Sequence, residues 1–314
     1  FGKRRAYQKK VAIAPFDGIF SAHGMVLRPR EDVIDKSFFP LFISSDYFLD
    51  AAIKISVGSL SPTINWRDLK TLEFELPDLA TQRKLAETLW SINDTMETYK
   101  KLIAATDELV KSQFMELFGD PVTNTQGREV RPFKDFMLDI RYGTSQPPTF
   151  NELGEFKFIR ATNIKAGRIT ENGMLRISAD EAAKIEKCRL NGNEIIIVRS
   201  GANTGDTCVV TDEYRDQYAG YDIIVTLNLE IANPVFFNEL MNTHYMQAII
   251  KPLTVRAAQP HINSEQVQNL PMLVVPLQEQ EQFATFVRQS DKSKLLISRL
   301  KEFILMGYRG HGKM

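Results

Sequence analysis

Cysteine and histidine are scarce in this chain, and their scarcity argues against two classes of site. Only two cysteines and four histidines occur among 314 residues. Two cysteines, Cys188 and Cys208, are too few for a disulfide framework. None of the histidines has the spacing of a metal ligand or a neighbouring cysteine or acidic pattern, so no metal site is predicted. The histidines are His23, His244, His261 and His311.

Long apolar runs and a dominant charge are also missing. No run approaches the ~20 apolar residues needed to span a bilayer, and the basic start at 1–10 leads only into a short apolar stretch, so no secretion signal is predicted. The 39 Lys and Arg balance 39 Asp and Glu, for a net charge of +0. Taken globally, that balance argues mildly against nucleic acid. We expect a folded cytoplasmic protein without a membrane partner, with room for roughly two domains.

Recognisable catalytic signatures are missing as well. The segment at 233–236, Asn-Pro-Val-Phe, is similar to a loop of amino-methyltransferases, but no Gly-rich loop for S-adenosylmethionine accompanies it. Proline near a first helical turn explains it better. Residues 199–205 lack the Lys-Ser/Thr of a phosphate loop and are interpreted as a turn between strands. We therefore predict no catalytic residue in this chain.

An internal repeat is the main feature that the chain does have. Ser-Pro-Thr-Ile-Asn at 61–65 returns as Gln-Pro-His-Ile-Asn at 259–263, an offset of 198 positions that continues without a gap on both sides. It pairs Gln82 with Gln280, Ala86 with Ala284, and residues 25–27 with 223–225. Only two units repeat, and each is large enough to be a domain, so we predict a two-lobed, pseudo-symmetric molecule.

The second copy is predicted to be complete and the first is not. At the same offset residue 1 falls opposite Arg199, so the chain lacks a counterpart of 131–198, and it does not begin with Met. We interpret it as a fragment, or as a protein whose first lobe has lost its N-terminal half. The predicted domains are the C-terminal part of a first lobe at 1–78, a long helix at 79–121, a second lobe at 122–276 and a second helix at 277–314.

Both lobes are followed by a helical pattern. Apolar residues recur at spacings of three and four from 79 to 118 with no Pro or Gly, and Gly119 and Pro121 then end the helix. The predicted seam of the first helix is Leu85, Leu89, Ile92, Met96, Tyr99, Ile103, Val110 and Leu117. The second helix carries Phe283, Phe286, Ile297, Leu300 and Ile304. We predict that residues 79–118 and 277–306 pair as an antiparallel coiled coil.

The second lobe is predicted to be α+β. Short apolar runs bounded by Gly and Asn, such as 194–198 and 223–227, are typical of strands, and 234–250 is typical of a helix. Arg, Asn and Gln side chains, which pair with base edges, gather in the loops between these runs. Each loop alone is most often a solvated turn. The set is suggestive because the loops recur in one lobe and the last recurs in both.

Three features together resemble the specificity subunits of type I restriction-modification systems. One is the Ser/Gln-Pro-x-Ile-Asn segment followed by Leu/Val-Pro and a helix that begins with Gln, at 76–86 and 274–284. Another is the strand and loop at 196–201 with Gly205. The third is the order of half-domain, helix, full domain and helix, which spans the whole chain.

The resemblance implies an α+β fold with two pseudo-symmetric target recognition domains, the first incomplete, separated by two long helices that form an antiparallel coiled coil. It also implies a protein without catalysis of its own that reads a bipartite site in double-stranded DNA. Methyltransferase subunits that use S-adenosylmethionine would dock on the helices, and motor-nuclease subunits that use ATP and Mg would complete the complex. No cofactor is expected in this chain.

The predicted DNA face draws on both lobes. It comprises Arg141, Tyr142, Thr144, Arg160, Arg199 and His261 in the second lobe, and Lys3, Arg4, Arg5, Tyr7 and Thr63 in the first. Two alternatives stay open at this point. One is the target-reading end of a fused restriction and methylation enzyme, and the other is a coiled-coil scaffold that does not contact DNA.

Overall fold

The computed structural model describes residues 1–120, 123–124, 126–254 and 261–311, with the side chains of 254, 298 and 300–311 excluded. Several predictions therefore lie outside the described residues: the boundary at Pro121, the first two residues of the motif at 259–263, the seam side chains Leu300 and Ile304, and the last three positions of the final domain. The described chain forms two compact units, Phe1–Leu102 with the segment from Ser298, and Ile103–Ile297. The domain boundaries given above stay predictions, since both long helices continue from one unit into the other.

The helices of the described chain are mostly short. They are α1 (Phe39–Ser44), α2 (Asp46–Lys54), α3 (Trp66–Leu69), α4 (Leu79–Phe118), α5 (Ala179–Lys184), α6 (Pro234–Asn242), α7 (His244–Thr254), α8 (Ser264–Gln268) and α9 (Leu277–His311). Short 3-10 turns lie at Ala6–Gln8, Phe133–Phe136, Ala161–Asn163, Glu186–Cys188 and Asp212–Tyr214. The two long helices, α4 and α9, follow the two lobes as predicted.

The strands lie in the second lobe. They are β1 (Val130–Pro132), β2 (Met137–Tyr142), β3 (Phe156–Ile159), β4 (Ile164–Lys165), β5 (Arg168–Ile169), β6 (Leu175–Ile177), β7 (Ile195–Ile197), β8 (Thr207–Val209), β9 (Tyr218–Ala219), β10 (Ile223–Leu227) and β11 (Pro271–Leu273). An antiparallel sheet of order β2-β10-β7-β8 forms the centre, and a second sheet has the order β6-β3-β9. The α+β class is confirmed.

The central strand β7 is apolar at every position because both of its faces are buried. Ile195 and Ile197 face the larger core, which includes Phe236 of α6. Ile196 faces a second core with Ile224. Side chains of a strand alternate between faces, so an uninterrupted run of isoleucine is what two covering layers require. The sheet is thereby fixed in register, and its ends carry the loops.

Asp78 and Gly119 define the ends of helix α4. The Asp78 carboxylate accepts hydrogen bonds from the backbone N–H groups of Ala80 and Thr81, both at 3.0 Å. At the other end Gly119 adopts φ 76°, and its N–H donates to the Met115 carbonyl. A helix commonly stops at glycine in this left-handed conformation. The 40 residues between run without a break.

The antiparallel pairing of α4 and α9 is observed within the second unit. Phe114 and Phe118 of α4 both contact Phe283 of α9, at ring-centroid distances of 5.5 Å. Further along, Lys294 of α9 donates to Asp107 of α4 at 2.6 Å. Contacts therefore move down one helix as they move up the other, which is the predicted antiparallel arrangement.

The predicted seam is wrong at two positions. Leu85 and Leu117 are 41% and 43% exposed. Their places on the buried side are taken by Ala86, at 2% exposure, and by Phe114 and Phe118, at 1% and 2%. The hydrophobic pattern alone did not settle which of two neighbouring apolar residues faces inward, because both fit spacings of three and four.

The repeat reappears as one buried side chain in each lobe. In the second lobe Gln280 accepts from the Asn233 N–H at 2.7 Å and donates to the carbonyls of Ile231 and Val275. In the first lobe Gln82 makes the same three hydrogen bonds. Its partners are Asp35, Val33 and Pro77, all 198 positions earlier. Each glutamine joins the start of a long helix to the loop that opens α1 or α6.

The register at the N-terminus differs from the gapless prediction. The Met25 N–H donates to the Phe1 carbonyl at 2.7 Å, and its counterpart Ile223 pairs with Ile197. Phe1 therefore takes the place of Ile197, so that residue 1 lies opposite 197 and not opposite Arg199. The first four residues follow an offset of 196 because the loop that returns to residue 25 is two residues shorter.

Among the described helices, none is both long enough and apolar enough to cross a membrane.

Candidate nucleic-acid interface

One end of the central sheet brings four side chains together. Strand β2 ends at Tyr142, which pairs with Ile223 at the start of β10, and Ile223 pairs in turn with Ile197 at the end of β7. Three residues within two positions of the start of β10 or the end of β7 therefore meet at this edge. They are Tyr221, Asp222 and Arg199.

Arg199 is held between two tyrosine rings. Its guanidinium carbon lies 4.4 Å from the ring centroid of Tyr142 and 4.3 Å from that of Tyr221. Both distances are within the range of cation–π attraction. The Tyr142 hydroxyl accepts a hydrogen bond from the Ser264 N–H at 2.9 Å, which fixes that ring. We call Tyr142, Arg199, Tyr221 and His261 the arginine clamp.

His261 closes the arginine clamp on a third side. Its Nε2 lies 3.1 Å from Nη2 of Arg199. The backbone sets this contact, because the Ile262 N–H donates to the Arg199 carbonyl at 2.9 Å and Ser200 bridges to His261. The described part of the repeated motif, residues 261–263, thus pairs with the segment after β7 through His261 and Ile262. Its last residue, Asn263, caps α8 and has a structural role.

The clamp surrounds the Arg199 guanidinium and leaves it partly unsatisfied. Nε is buried without a hydrogen-bond partner among the described residues. An arginine already confined by packing loses less side-chain entropy when it binds. A guanidinium offers only donors, so a clamp of this kind suits acceptor groups such as the O6 and N7 atoms of guanine.

Asp222 lies beneath the clamp. The side chain is 4% exposed, and its carboxylate accepts a hydrogen bond from the Arg199 N–H at 3.2 Å. Burial raises the pKa of Asp222 to about 6, and the hydrogen bond from Arg199 offsets only part of that rise. The carboxyl group therefore changes charge close to neutral pH.

We expect Asp222→Asn to stabilise the protein at high pH and to be nearly neutral at low pH. An unfolded aspartate releases its proton near pH 4, whereas the folded one holds it to about pH 6. The folded state binds the extra proton between these values, so stability is lost as pH rises through this window. The loss is about 3 kcal/mol. Urea unfolding of both proteins at pH 4 and pH 8 measures the difference.

Glu230 provides a control for that measurement because it is an exposed carboxylate in the same lobe. Glu230→Gln should stay within about 0.5 kcal/mol of the wild type in its free energy of unfolding, because it replaces an exposed side chain. An Asp222→Asn protein whose stability gain is the same at pH 4 and pH 8 would contradict the prediction.

Arg141 does not join the clamp, although it neighbours Tyr142. Successive residues of β2 point to opposite faces, and Arg141 points to the face of Glu194. It holds that buried carboxylate in two hydrogen bonds of 2.7 and 3.0 Å and also donates to the Arg189 carbonyl. The structure thus engages Arg141 in an internal ion pair, and a DNA contact by this residue stays a prediction.

Thr144 and Arg160 lie in two other loops of the same lobe. The Thr144 hydroxyl exchanges hydrogen bonds with the backbone of Gln146, two residues beyond it. Arg160 donates to the Gly173 carbonyl at 2.9 Å, and its Nε is buried without a partner in the described structure. Within the described residues these side-chain hydrogen bonds do not involve the clamp, and the part of Thr144 and Arg160 in a DNA face also stays a prediction.

The first lobe builds a related edge from different side chains. The Ile64 N–H donates to the Lys3 carbonyl, as Ile262 does to that of Arg199, so Lys3 takes the place of Arg199. Arg4 bridges to Thr63, the counterpart of His261. Nη1 of Arg4 lies 3.1 Å from Nδ1 of His23, a residue 198 positions before Tyr221.

Arg5 and Tyr7 complete the predicted set of the first lobe. Arg5 is exposed with φ 53°, in the left-handed region. Tyr7 is 57% exposed. Both side chains therefore reach solvent beside the bridge between Arg4 and Thr63. Lys9 is different, because it is engaged with Asp46 and Asp50.

Three residues of the site were missed from the sequence: Tyr221, Asp222 and His23. A signal for two of them exists in the repeat, because His23 and Tyr221 occupy equivalent positions two residues before equivalent apolar runs. Asp222 gave no such signal, since its counterpart is Gly24. No group of three or more potential metal ligands gathers anywhere in the described part of the chain.

Comparison with known proteins covers most of the chain. The family model of the type I restriction modification DNA specificity domain matches residues 2–106 and 129–305. The type I restriction enzyme EcoKI specificity subunit of Escherichia coli (strain K12) is 21% identical over 295 residues, which cover 88% of this chain and 62% of that protein. The EcoDI specificity subunit of Escherichia coli is 29% identical over 127 residues, covering 39% of this chain and 28% of that protein. The chain thus spans less than two thirds of the length of either relative.

Two solved structures share the fold. One is the S subunit of a type I restriction-modification system from M. genitalium, with a TM-score of 0.59 and 14% identity over 88% of this chain and 71% of that chain. The other was described for the complex assembly and conformational transition of the type I R-M system. It has a TM-score of 0.51 and 19% identity, and the match covers 97% of this chain and 79% of that one.

Proposed function

The chain belongs to the type I restriction-modification DNA specificity family, and we propose on that premise that it reads a bipartite target in double-stranded DNA, one half with each lobe. The arginine clamp carries this proposal. Edges of duplex bases present hydrogen-bond acceptors to arginine, and the clamp presents a pre-oriented guanidinium at the end of a rigid sheet. The bridge between Arg4 and Thr63 supplies a second such edge in the first lobe.

The long helices fit the assembly role of such a subunit. We propose that α4 and α9 dock methyltransferase subunits and set the spacing between the two half-sites. Motor-nuclease subunits would then join to form the restriction complex. S-adenosylmethionine, ATP and Mg belong to those partners in this proposal, and the chain itself contributes recognition without catalysis. A cytoplasmic location follows for a protein that acts on cellular and invading DNA.

Removal of the Arg199 guanidinium is expected to relax one position of the target. We expect Arg199→Met to cost about 1–3 kcal/mol in binding free energy for the preferred duplex. A duplex altered at the base pair that Arg199 reads should bind the variant and the wild type with equal affinity. The measurement is a set of binding titrations of the complete subunit with its methyltransferase partners. The methylated motif of a host cell identifies the target positions. The titrations then compare, at fixed salt, duplexes that carry each base at each of these positions.

Arg215→Met serves as the matched control, because Arg215 is an exposed arginine of the same lobe that pairs with Asp212 and not with the clamp. It should leave the preference at every position unchanged. Uniform weakening of all duplexes by Arg199→Met would assign Arg199 to a phosphate, and no effect on any duplex would remove it from the interface. The scaffold alternative predicts that neither protein discriminates among duplexes.

A further inference from the structure

A chain of ion pairs joins the second lobe to both long helices. The Arg168 guanidinium reaches Glu239 of α6 at 2.9 Å and Asp291 of α9 at 2.8 Å. Asp291 also holds Lys294 at 2.9 Å, and Lys294 reaches Asp107 of α4 at 2.6 Å. All five residues lie within the second unit. We call this set the ionic strut.

The backbone around Arg168 is built to aim it. The hairpin of β4 and β5 turns at Ala166 and Gly167, with φ 47° and 77°. The Gly167 carbonyl accepts a hydrogen bond from the buried Asn238 of α6 at 3.3 Å. Arg168 donates back to the same carbonyl at 3.0 Å. The hairpin is thereby docked on α6 before its arginine reaches the long helix.

The position of the strut along the helices is informative. Phe114, Phe283 and Val287 bury the apolar part of the lobe–helix contact, and Asp291 follows Val287 by one turn on the same side of α9. The apolar contact ends there and the ion pairs begin. Apolar contacts are not directional, whereas a guanidinium that holds two carboxylates fixes both distance and angle.

Burial does not neutralise either cation of the strut. Burial alone would lower the pKa of Arg168, but Glu239 and Asp291 more than reverse this and raise it. Burial likewise lowers the pKa of Lys294, and its hydrogen bonds to Asp107 and Asp291 raise it overall. Both cations of the strut therefore stay charged at neutral pH.

The strut is not part of the repeated framework. At the offset of 198 positions, Glu239, Asp291 and Lys294 correspond to Leu41, Asn93 and Met96, which carry no charge. Gln82 and Gln280, in contrast, are kept in both copies. The ionic strut is thus an addition specific to the second lobe, made where that lobe meets the helices.

We propose that Arg168 is a positioning residue that fixes the angle between the second lobe and the helix pair, and thereby the gap length tolerated between the two half-sites. This inference rests on the proposed function, because a gap exists only for a bipartite target. Arg168 itself need not touch DNA. Loss of the strut would leave the clamp intact and let the lobe tilt on its apolar contact, so that targets of neighbouring gap length are accepted.

The test compares duplexes of three gap lengths: that of the methylated motif, and gaps one base pair shorter and longer. The complete subunit with its methyltransferase partners should prefer the natural gap by about tenfold or more, since a displaced half-site loses base contacts. Arg168→Met and Asp291→Asn should each reduce this preference at least threefold. Arg168→Lys, which keeps the charge but not the fork, should fall between them and the wild type.

Lys157→Met is the matched control, because Lys157 also contacts two carboxylates, Glu171 and Glu213, but neither lies on a long helix. It should keep the wild-type preference.

A second measurement needs no DNA. Spin labels at Asp212→Cys and Leu295→Cys, both exposed, report the distance between lobe and helix. The native cysteines are buried. The distance distribution should broaden in Arg168→Met and Asp291→Asn and stay narrow in Lys157→Met.

The two measurements separate failure of this inference from failure of the proposed function. An unchanged gap preference together with an unchanged distance distribution in folded Arg168→Met and Asp291→Asn proteins overturns the strut. If the wild-type complex selects no duplex at all, the proposed function falls. In that case, a broadened distance distribution in the two strut variants would still show that the strut holds the lobe to the helices. An unchanged distance distribution would overturn the strut as well as the proposed function.

Discussion

Replacement of Gln280 by methionine is expected to lower the free energy of unfolding of the second lobe by about 3–5 kcal/mol. The side chain is fully buried and satisfies three backbone groups, the Asn233 N–H and the carbonyls of Ile231 and Val275. Methionine fills the same volume but makes none of these bonds. A buried backbone group left without a partner costs about 1–3 kcal/mol. Urea unfolding followed by circular dichroism measures the loss.

Gln282 offers a control of the same residue type in the same helix, because it is exposed two positions further on. Gln282→Met should stay within about 0.5 kcal/mol of the wild type. Gln82→Met should destabilise the first lobe as Gln280→Met does the second, since the hydrogen bonds are the same. Equal stability of the Gln280→Met and Gln282→Met proteins would show that the joint is held by packing alone.

The equivalent contacts of Gln82 and Gln280 illustrate what a single sequence can and cannot predict. The gapless offset identified Gln82 and Gln280 as equivalent and placed them at the start of the long helices. It did not predict that they would be buried, because nothing in local pattern distinguishes a buried glutamine from the exposed ones beside it. Burial follows from three backbone groups that converge only in the folded lobe.

The candidate site was predictable to a similar extent. Residue type was enough to single out Tyr142, Arg199 and His261, which the structure brings together. The contrast between Tyr142 and its neighbour Arg141 follows from strand alternation and needed only the knowledge that 137–142 is a strand. Tyr221 required the register of β10 against β2 and β7. Such pairings join distant parts of the chain, and local sequence carries no record of them.

The register at the N-terminus shows another limit. Met25 and Leu27 keep their offset because both side chains pack against the hydrophobic core of the first lobe. The loop between residue 4 and residue 25 is largely exposed, so two residues can be lost there without cost to packing. The offset of 198 positions therefore holds for the core residues and is wrong for the first four residues, which follow an offset of 196.

We expect the isolated chain to bind DNA weakly and without sequence preference, and to bind specifically only with methyltransferase subunits present. Non-specific affinity comes from Lys and Arg that neutralise phosphates. The net charge is +0, and many basic side chains are engaged internally, such as Arg141 with Glu194, Arg168 with Asp291 and Lys294 with Asp107. Each of these internal pairs leaves one basic side chain fewer to neutralise phosphates, and partners that bind the helices would supply further contacts.

A titration of labelled duplex at fixed salt, with and without the methyltransferase subunits, measures this dependence. Addition of the partners should strengthen binding of the target by about 10³-fold or more over non-specific duplex. It should also steepen the fall of log affinity with log salt by about 0.9 for each phosphate that the partners contact.

The Arg199→Met variant separates phosphate contacts from base contacts. It should keep the salt dependence of the assembled complex while losing preference at one position. Tight sequence-specific binding by the chain alone, or methyl transfer without partners, would mean that recognition is not shared. Either result would support the alternative of a fused restriction and methylation enzyme, which this sequence, lacking catalytic motifs, does not support.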